Sequence, residues 1–200
     1  SVMLSAYTNI QDIYPDATID AAVSRQIYHA LDILSWYQSQ GNIHNTVVIS
    51  LGTNGVLDEN TVEQLLEIIG KDKSIFWVNV YAPGVEWEAS NNKYLNELAK
   101  KHSNVTIIDW NSYISKHTDL LEADGIHPIE EGANAYAHLI QEKISIKEII
   151  NFKFISAKRE VSNKEVDKTL SIQTSKIYKK TEQKILYKES RRNIIESTKQ

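Results

Sequence analysis

The sequence predicts an α/β protein whose parallel sheet is covered by helices on both faces. Short continuous apolar runs are typical of strands buried on both faces, and the segments between them carry apolar residues at helical spacing. Strands that alternate with helices imply right-handed crossovers and a parallel sheet. In such sheets functional residues gather at the carboxyl ends of the strands, so we expect them in the segments that follow each strand.

The first elements are predicted from periodicity and from residues that end helices. Apolar residues at helical spacing predict a helix over 2–13, which Pro15 ends, and a second helix over 26–40, which stops at Gly41. The short segment 17–23 between them favours a strand.

The pattern of strands and helices then repeats along the chain. The continuous apolar run 46–51 predicts a buried strand, and a helix follows over 60–69, with Asp58 or Asn60 as its cap and Gly70 as its end. The remaining elements are a strand over 74–81, a helix over 90–102, a strand over 105–109 and a long helix over 130–150.

The charge distribution divides the chain near residue 150. Residues 1–150 carry 9 basic and 20 acidic side chains, whereas residues 151–200 carry 13 basic and 6 acidic ones. We therefore predict a folded domain over 1–150 and a basic polar C-terminal extension over 151–200, helical or disordered. A functional alternative is that the positive charge of the extension tethers the domain to an anionic wall or membrane surface.

Composition and missing motifs exclude several classes of protein. The chain has no cysteine, so disulfides, thiolate zinc sites and thiol redox chemistry are excluded. No stretch reaches about 18 consecutive apolar residues, and no signal segment starts the chain, so any export signal is expected upstream of Ser1. No phosphate-binding loop or dinucleotide fingerprint occurs. We predict no metal, no cofactor and no nucleic-acid partner.

The first residue and the run Asp-Gly-Ile-His-Pro at 124–128 together contain the parts of a serine acyl-transfer site. A hydroxyl is a poor nucleophile at neutral pH, so it needs a base within hydrogen-bond reach and a third group that holds the base. We predict Ser1 as nucleophile, His127 as general base and Asp124 as the group that orients the imidazole. The alternatives are a helix cap for Ser1 and a surface-loop histidine for His127.

Four separated blocks carry a resemblance to a known family: Ser-Val-Met at 1–3, Ser-Arg-Gln at 24–26, Gly-Thr-Asn at 52–54 and the run at 124–128. They resemble the blocks of an SGNH (GDSL-like) hydrolase domain, and more narrowly the extracytoplasmic domain of bacterial peptidoglycan O-acetyltransferases of the OatA type. The resemblance covers roughly residues 1–145. It implies a three-layer, flavodoxin-like SGNH fold in which the nucleophile follows Gly-Asp at a strand end, so we expect the first strand upstream of Ser1.

The resemblance also implies an oxyanion hole formed by Ser1, Ser24 and Asn54. The family usually has glycine where this chain has Ser24, although a backbone amide donates whatever its side chain. Asn54 has a competing role as a turn residue. Arg25 and Gln26 are candidates for substrate binding or for solvated helix-start residues. Trp87 is a candidate platform for a sugar ring, with core packing as the alternative.

The sequence thus predicts a serine-dependent O-acetyltransferase that acts by double displacement. By resemblance, the acceptor is a muramic acid hydroxyl of peptidoglycan, and the acetyl donor comes from a membrane acyltransferase module. The parent protein is then membrane-anchored, with this domain on the outer side of the membrane in a Gram-positive bacterium. The alternatives are a carbohydrate esterase that uses water and a noncatalytic glycan-binding module.

Overall fold

The computed structural model describes residues 1–159, with side chains described to residue 151. Residues Ser1–Ile144 form one compact unit, and the described residues from Ser145 to Arg159 belong to a second unit. The predicted extension over 151–200 lies almost entirely outside the described residues, so its role stays a prediction.

A three-stranded parallel sheet forms the centre of the first unit. Its strands are β1 (Thr46–Ile49), β2 (Ser74–Val78) and β3 (Val105–Ile108), in the spatial order β1-β2-β3. In register, Val48 lies beside Phe76, and Phe76 lies beside Thr106. The central strand is the most buried one because both of its edges are paired and both of its faces are covered. The predicted α/β class with a parallel sheet is confirmed.

Seven α-helices and one 3-10 turn surround the sheet within the described residues. Side-chain caps begin two of the helices, since Asp58 accepts a hydrogen bond from the Thr61 amide and Asp109 accepts one from the Ser112 amide. The helices are α1 (Val2–Ser5), α2 (Tyr7–Ile13), α3 (His29–Ser39), α4 (Glu59–Ile69), α5 (Glu88–Lys101), α6 (Trp110–Ile114) and α7 (Glu130–Arg159), with the 3-10 turn at Thr118–Leu120.

Alternating side chains of the central strand divide the core into two layers. Phe76 and Val78 pack with helices α1, α2, α6 and α7 on one face of the sheet. Ile75 and Trp77 pack with helices α3, α4 and α5 on the other face. This alternation is the expected period of two for a strand, and it produces the helix, sheet, helix arrangement of a three-layer fold.

Three local predictions differ from the structure. The segment 17–23 contains no strand, and two of its carbonyls accept from side chains instead of from a neighbouring strand: the Gln11 amide donates to the Ala17 carbonyl, and the Arg25 guanidinium donates to the Asp20 carbonyl. The helix predicted over 2–13 is interrupted at Ala6, whose buried methyl group packs in the core. Helix α6 was not predicted, although the cap at Asp109 was visible in the sequence.

Within residues 1–159, no helix has the length and apolar character needed to cross a membrane.

Candidate active site

The loop that carries Asp124 and His127 is closed by its own backbone. Leu121 and Pro128 form an antiparallel bridge, and the Glu122 amide donates to the His127 carbonyl at 2.7 Å. Inside the loop, Oδ1 of Asp124 accepts from the amides of Ile126 and His127, both at 2.9 Å. Such carboxylate-to-amide bonds hold a tight turn. The backbone of the loop therefore fixes the position of the Asp124 carboxylate through one of its two oxygens, independently of the imidazole.

The second carboxylate oxygen of Asp124 contacts the imidazole of His127. Its Oδ2 lies 2.6 Å from Nδ1, and the side chains of Asp124 and His127 are 49% and 38% exposed. The hydrogen bonds from the His127 amide, the His127 ring and the Ile126 amide lower the pKa of Asp124 to about 2. An ionised carboxylate at Nδ1 stabilises the tautomer that carries its proton there, which leaves Nε2 as the base.

The other ring nitrogen of His127 faces Ser1. Nε2 lies 2.9 Å from the α-amino group of Ser1, although the two residues are 126 positions apart in the sequence. Partial burial lowers the pKa of this amine, and the charge of Asp124 opposes that effect. Ser1 precedes helix α1, and its side chain makes no capping bond within that helix. The hydroxyl is therefore not committed to the capping role that was the alternative interpretation of this serine.

A second group of predicted residues is joined through Asn54. The amide nitrogen Nδ2 of Asn54 donates to the Arg25 carbonyl at 3.2 Å, which links the segment after β1 with the segment before α3. Ser24 has a positive φ of 56°, a left-handed conformation that costs an L-residue roughly 1–2 kcal/mol per residue. Glycine adopts this conformation without a steric cost, whereas Ser24 adopts it with a Cβ atom.

A narrow cleft lies at the carboxyl edge of the sheet, and chain neighbours of both groups line it. Val2, which follows the serine, lines it together with Ser50 and Thr53 from the end of β1, and Asn79 from the end of β2. Tyr136 closes its floor and donates a hydrogen bond to the Ser50 hydroxyl at 2.7 Å. The carboxyl ends of parallel strands thus meet beside the serine, as expected for this class of sheet.

The three predicted substrate-binding residues make contacts within the protein. Arg25 forms an ion pair with the Asp20 carboxylate at 2.7 Å. The Gln26 side chain lies close to Gly55, whose Cβ position would be 3.1 Å from the Gln26 Oε1 atom. The indole nitrogen of Trp87, a half-buried residue, donates to the Thr53 carbonyl at 3.2 Å. These contacts hold the three side chains against neighbouring segments of the protein, and none of the three lines the cleft.

Polar side chains of α5 and α6 organise the same edge, and the sequence predictions missed them. Glu88 accepts from the Ala82 amide and from the Asn111 side chain, and Asn91 bonds to three backbone groups between residues 52 and 57. Asparagine is an unfavourable residue inside a helix, so its occurrence at 91 within a helical pattern was a usable signal. Within residues 1–159, no cluster of three or more potential metal ligands occurs.

The fold places this domain in the class of SGNH-like α/β domains with a parallel sheet. In the structural comparison, the chain matches the C-terminal catalytic domain of Streptococcus pneumoniae peptidoglycan O-acetyltransferase A (OatA), solved with a methylsulfonyl adduct. The TM-score is 0.66 at 28% identity, over 74% of this chain and 90% of that one. A carbohydrate esterase of family 3 from Talaromyces cellulolyticus shares the fold, with a TM-score of 0.53 at 15% identity.

Sequence relatives identify the same group. The chain is 35% identical over 140 residues to YrhL of Bacillus subtilis, which is named as a putative peptidoglycan O-acetyltransferase, and 32% identical over 140 residues to the peptidoglycan O-acetyltransferase OatA of Listeria monocytogenes. Each alignment covers 70% of this chain, which spans about a fifth of the length of these relatives, 22% in both cases. No family model matches the chain. Its homologues are peptidoglycan O-acetyltransferases, so the predicted resemblance is confirmed.

Proposed function

We propose that this domain is a serine O-acetyltransferase that transfers an acetyl group through an acyl-enzyme to a sugar hydroxyl of peptidoglycan. The observation that carries the proposal is the chain of contacts from Asp124 through both nitrogens of His127 to Ser1. The Ser1 atom in contact is its α-amino nitrogen, which puts the Oγ atom of the same residue beside the imidazole whose Nε2 is the proposed base. The O-acetyltransferase homologues, and the catalytic domain that the structure matches, support an enzyme rather than a binding module.

The first displacement loads the enzyme. The Ser1 Oγ atom attacks the carbonyl carbon of the acetyl donor while Nε2 of His127 takes the hydroxyl proton. The carbonyl oxygen becomes an oxyanion, for which the backbone amides of Ser1 and Ser24 and the side-chain amide of Asn54 are the candidate donors. The intermediate collapses by breaking the bond to the leaving group, which receives the proton from His127. The product is an acetyl ester on Ser1.

The second displacement unloads the enzyme by the reverse sequence of proton movements. A sugar hydroxyl gives its proton to Nε2 of His127 as its oxygen attacks the ester carbonyl. Collapse breaks the bond to Oγ, which recovers the proton from His127 and becomes a hydroxyl again. Asp124 keeps its negative charge throughout and stabilises the imidazolium that forms in each step.

The names of the relatives support a peptidoglycan acceptor, and the acetyl donor is a proposal of our own. Peptidoglycan O-acetyltransferase homologues favour a peptidoglycan acceptor, and the muramic acid 6-hydroxyl is our specific proposal for its reacting group. The matched region is only about a fifth of each relative, so the rest of such a protein has room for the membrane module that would deliver acetyl groups. Action on peptidoglycan implies work on the extracytoplasmic side of the membrane, and a Gram-positive cell wall is our more specific proposal.

The decisive experiment is mass spectrometry of the protein after incubation with an activated acetyl ester such as p-nitrophenyl acetate. The chain is extended by Gly-Asp before Ser1, because a free α-amine on the same residue would capture an acetyl group from Oγ as a stable amide. We expect one acetyl group on Ser1 that hydroxylamine removes, since hydroxylamine cleaves esters and leaves amides. Ser1→Ala should lose the adduct, while Ser5→Ala, at an exposed serine of α1, should keep it.

A chitooligosaccharide acceptor then separates transfer from hydrolysis. Appearance of acetylated sugar, with less free acetate than in the absence of sugar, supports the transferase. Release of free acetate alone, at a rate that the sugar does not change, would assign the domain as an esterase. A parent protein that never carries an ester, yet still binds the sugar, would instead assign a glycan-binding module.

A further inference from the structure

The side chain of Asn91 is the buried polar group that the proposed chemistry leaves unexplained. It is 1% exposed and lies in the first two turns of α5, on the face that packs against the sheet. Asn91 is also the one polar residue in the buried class within the described part of the chain. Burying an amide side chain costs free energy unless it is fully hydrogen-bonded, so its partners indicate its role.

The hydrogen bonds of this side chain all go to one loop. Nδ2 of Asn91 donates to the Gly52 carbonyl and to the Gly55 carbonyl, both at 2.9 Å. Oδ1 accepts from the Leu57 amide, also at 2.9 Å. Asn91 thus holds the main chain of the segment 52–57 at its beginning, middle and end, and Asn54 lies inside that segment.

The same loop is also held by a second side chain. The Trp87 indole, at the N-terminal end of α5 and one turn before Asn91, donates to the Thr53 carbonyl at 3.2 Å. Gly52 fits closely, since a Cβ atom there would be 3.3 Å from Nδ2 of Asn91. Asn54 itself uses Nδ2 toward the Arg25 carbonyl, so its position depends on the path of this loop.

We propose that Asn91 is a positioning residue for acyl transfer: its three hydrogen bonds to the 52–57 loop hold Asn54 where its amide donates to the oxyanion. This inference rests on the proposed function. An oxyanion donor acts only over a short distance, and removing one costs about 10²- to 10³-fold in rate. A misplacement of about 1 Å can cost on the order of 10²-fold, so loss of the buried amide should reduce the rate without removing the nucleophile.

The test compares Asn91→Asp with Asn104→Asp in the Gly-Asp-extended chain. The aspartate at 91 keeps an acceptor for the Leu57 amide but turns an oxygen toward two carbonyls. Asn104 is a matched control, because its Nδ2 also donates to two backbone carbonyls, those of Gly70 and Lys73, at the amino ends of the strands. We expect both variants to have a lower melting temperature than the parent. Only Asn91→Asp should also show an acetylation rate constant about 10- to 100-fold lower at saturating ester.

A double variant distinguishes positioning from general destabilisation. If Asn91 acts through Asn54, then Asn54→Ala and Asn54→Ala with Asn91→Asp acetylate at the same rate, measured well below both melting temperatures. The inference would be overturned if the double variant lost rate by the product of the two single-variant factors. It would also be overturned if Asn91→Asp acetylated at the rate of the parent. Asn91→Ala replaces Asn91→Asp if the latter shows no cooperative melting transition. A parent protein that forms no acetyl ester contradicts the proposed function itself. An Asn91→Asp variant that acetylates as fast as an active parent contradicts only the role of Asn91.

Discussion

Gly132 lies in the first turn of α7 and packs against the backbone of the loop that carries the predicted base. A Cβ atom at this position would lie 2.2 Å from the Leu120 carbonyl oxygen and 2.9 Å from Cβ of Pro128. The Leu120 carbonyl also accepts from the Ile129 amide at 3.0 Å, so it cannot turn away without losing that bond. Gly132→Ala therefore tests how tightly the helix and the catalytic loop are packed together.

Two opposing effects decide the sign of the change in stability. In an ordinary helix interior, replacing glycine by alanine stabilises the protein by about 1 kcal/mol. Here the new methyl group has to move from 2.2 Å to at least 3.0 Å from a backbone oxygen, and overpacking of this kind costs about 1–3 kcal/mol or more. Because the clash is with a fixed backbone oxygen, we take the upper part of that range, about 2–3 kcal/mol, which leaves a net destabilisation of about 1–2 kcal/mol. At about 2–4 °C for each kcal/mol, the melting temperature should be clearly lower.

The assay is thermal unfolding followed by circular dichroism, paired with the rate of Ser1 acetylation. Since the bridge between Leu121 and Pro128 connects Gly132 to the His127 loop, we also expect the acetylation rate to fall, by up to about 10-fold. The control is Asn134→Ala, an exposed position in the same helix, which should melt at the parental temperature or slightly above it. A Gly132→Ala protein that melts above the parent would refute the close packing on which the reasoning rests.

Three further outcomes are expected. The pKa of Asp124 is lowered from 3.8 to about 2, so its contribution to stability is present above pH 3.8 and is lost as the pH falls toward 2. The difference in melting temperature between the parent and Asp124→Asn should therefore shrink over that range, and a difference that is constant from pH 6 to pH 2 would show that the ionised carboxylate does not stabilise the loop. Gly52→Ala should lower the urea midpoint of unfolding by the equivalent of about 1–3 kcal/mol, because φ is 117° and the new Cβ atom would lie 2.9 Å from the Val80 side chain. An unchanged midpoint would show that the loop accommodates the methyl group without strain. Ser24→Gly should raise the urea midpoint slightly, by about 0.5 kcal/mol, since relief of the left-handed strain exceeds the entropy cost of glycine, and a lower midpoint would mean that the serine side chain contributes a contact.

Local chemistry explains what could be predicted about the site. Asp124 and His127 are three residues apart, so one turn brings carboxylate and imidazole together whatever the rest of the chain does. Their contact depends on a few neighbouring residues, and the sequence contains all of them. The contact between Ser1 and His127, in contrast, joins residues 126 positions apart, so no local pattern determines it. It was predicted from the chemical needs of a serine nucleophile and from the family resemblance.

The sequence by itself determined the three strands, most of the helices between them, the parallel sheet and the residues of the predicted triad. Apolar runs and helical periodicity depend on residues that are close along the chain, which is why β2 and β3 begin where they were predicted to begin. Only the tertiary structure decided that two carbonyls of the segment 17–23 accept from side chains and not from a neighbouring strand. It also decided that the Asn91 side chain makes its hydrogen bonds with the 52–57 loop. The physical reason is that a buried polar group must find a partner, and the partner's place in the sequence is set by the packing of the whole domain.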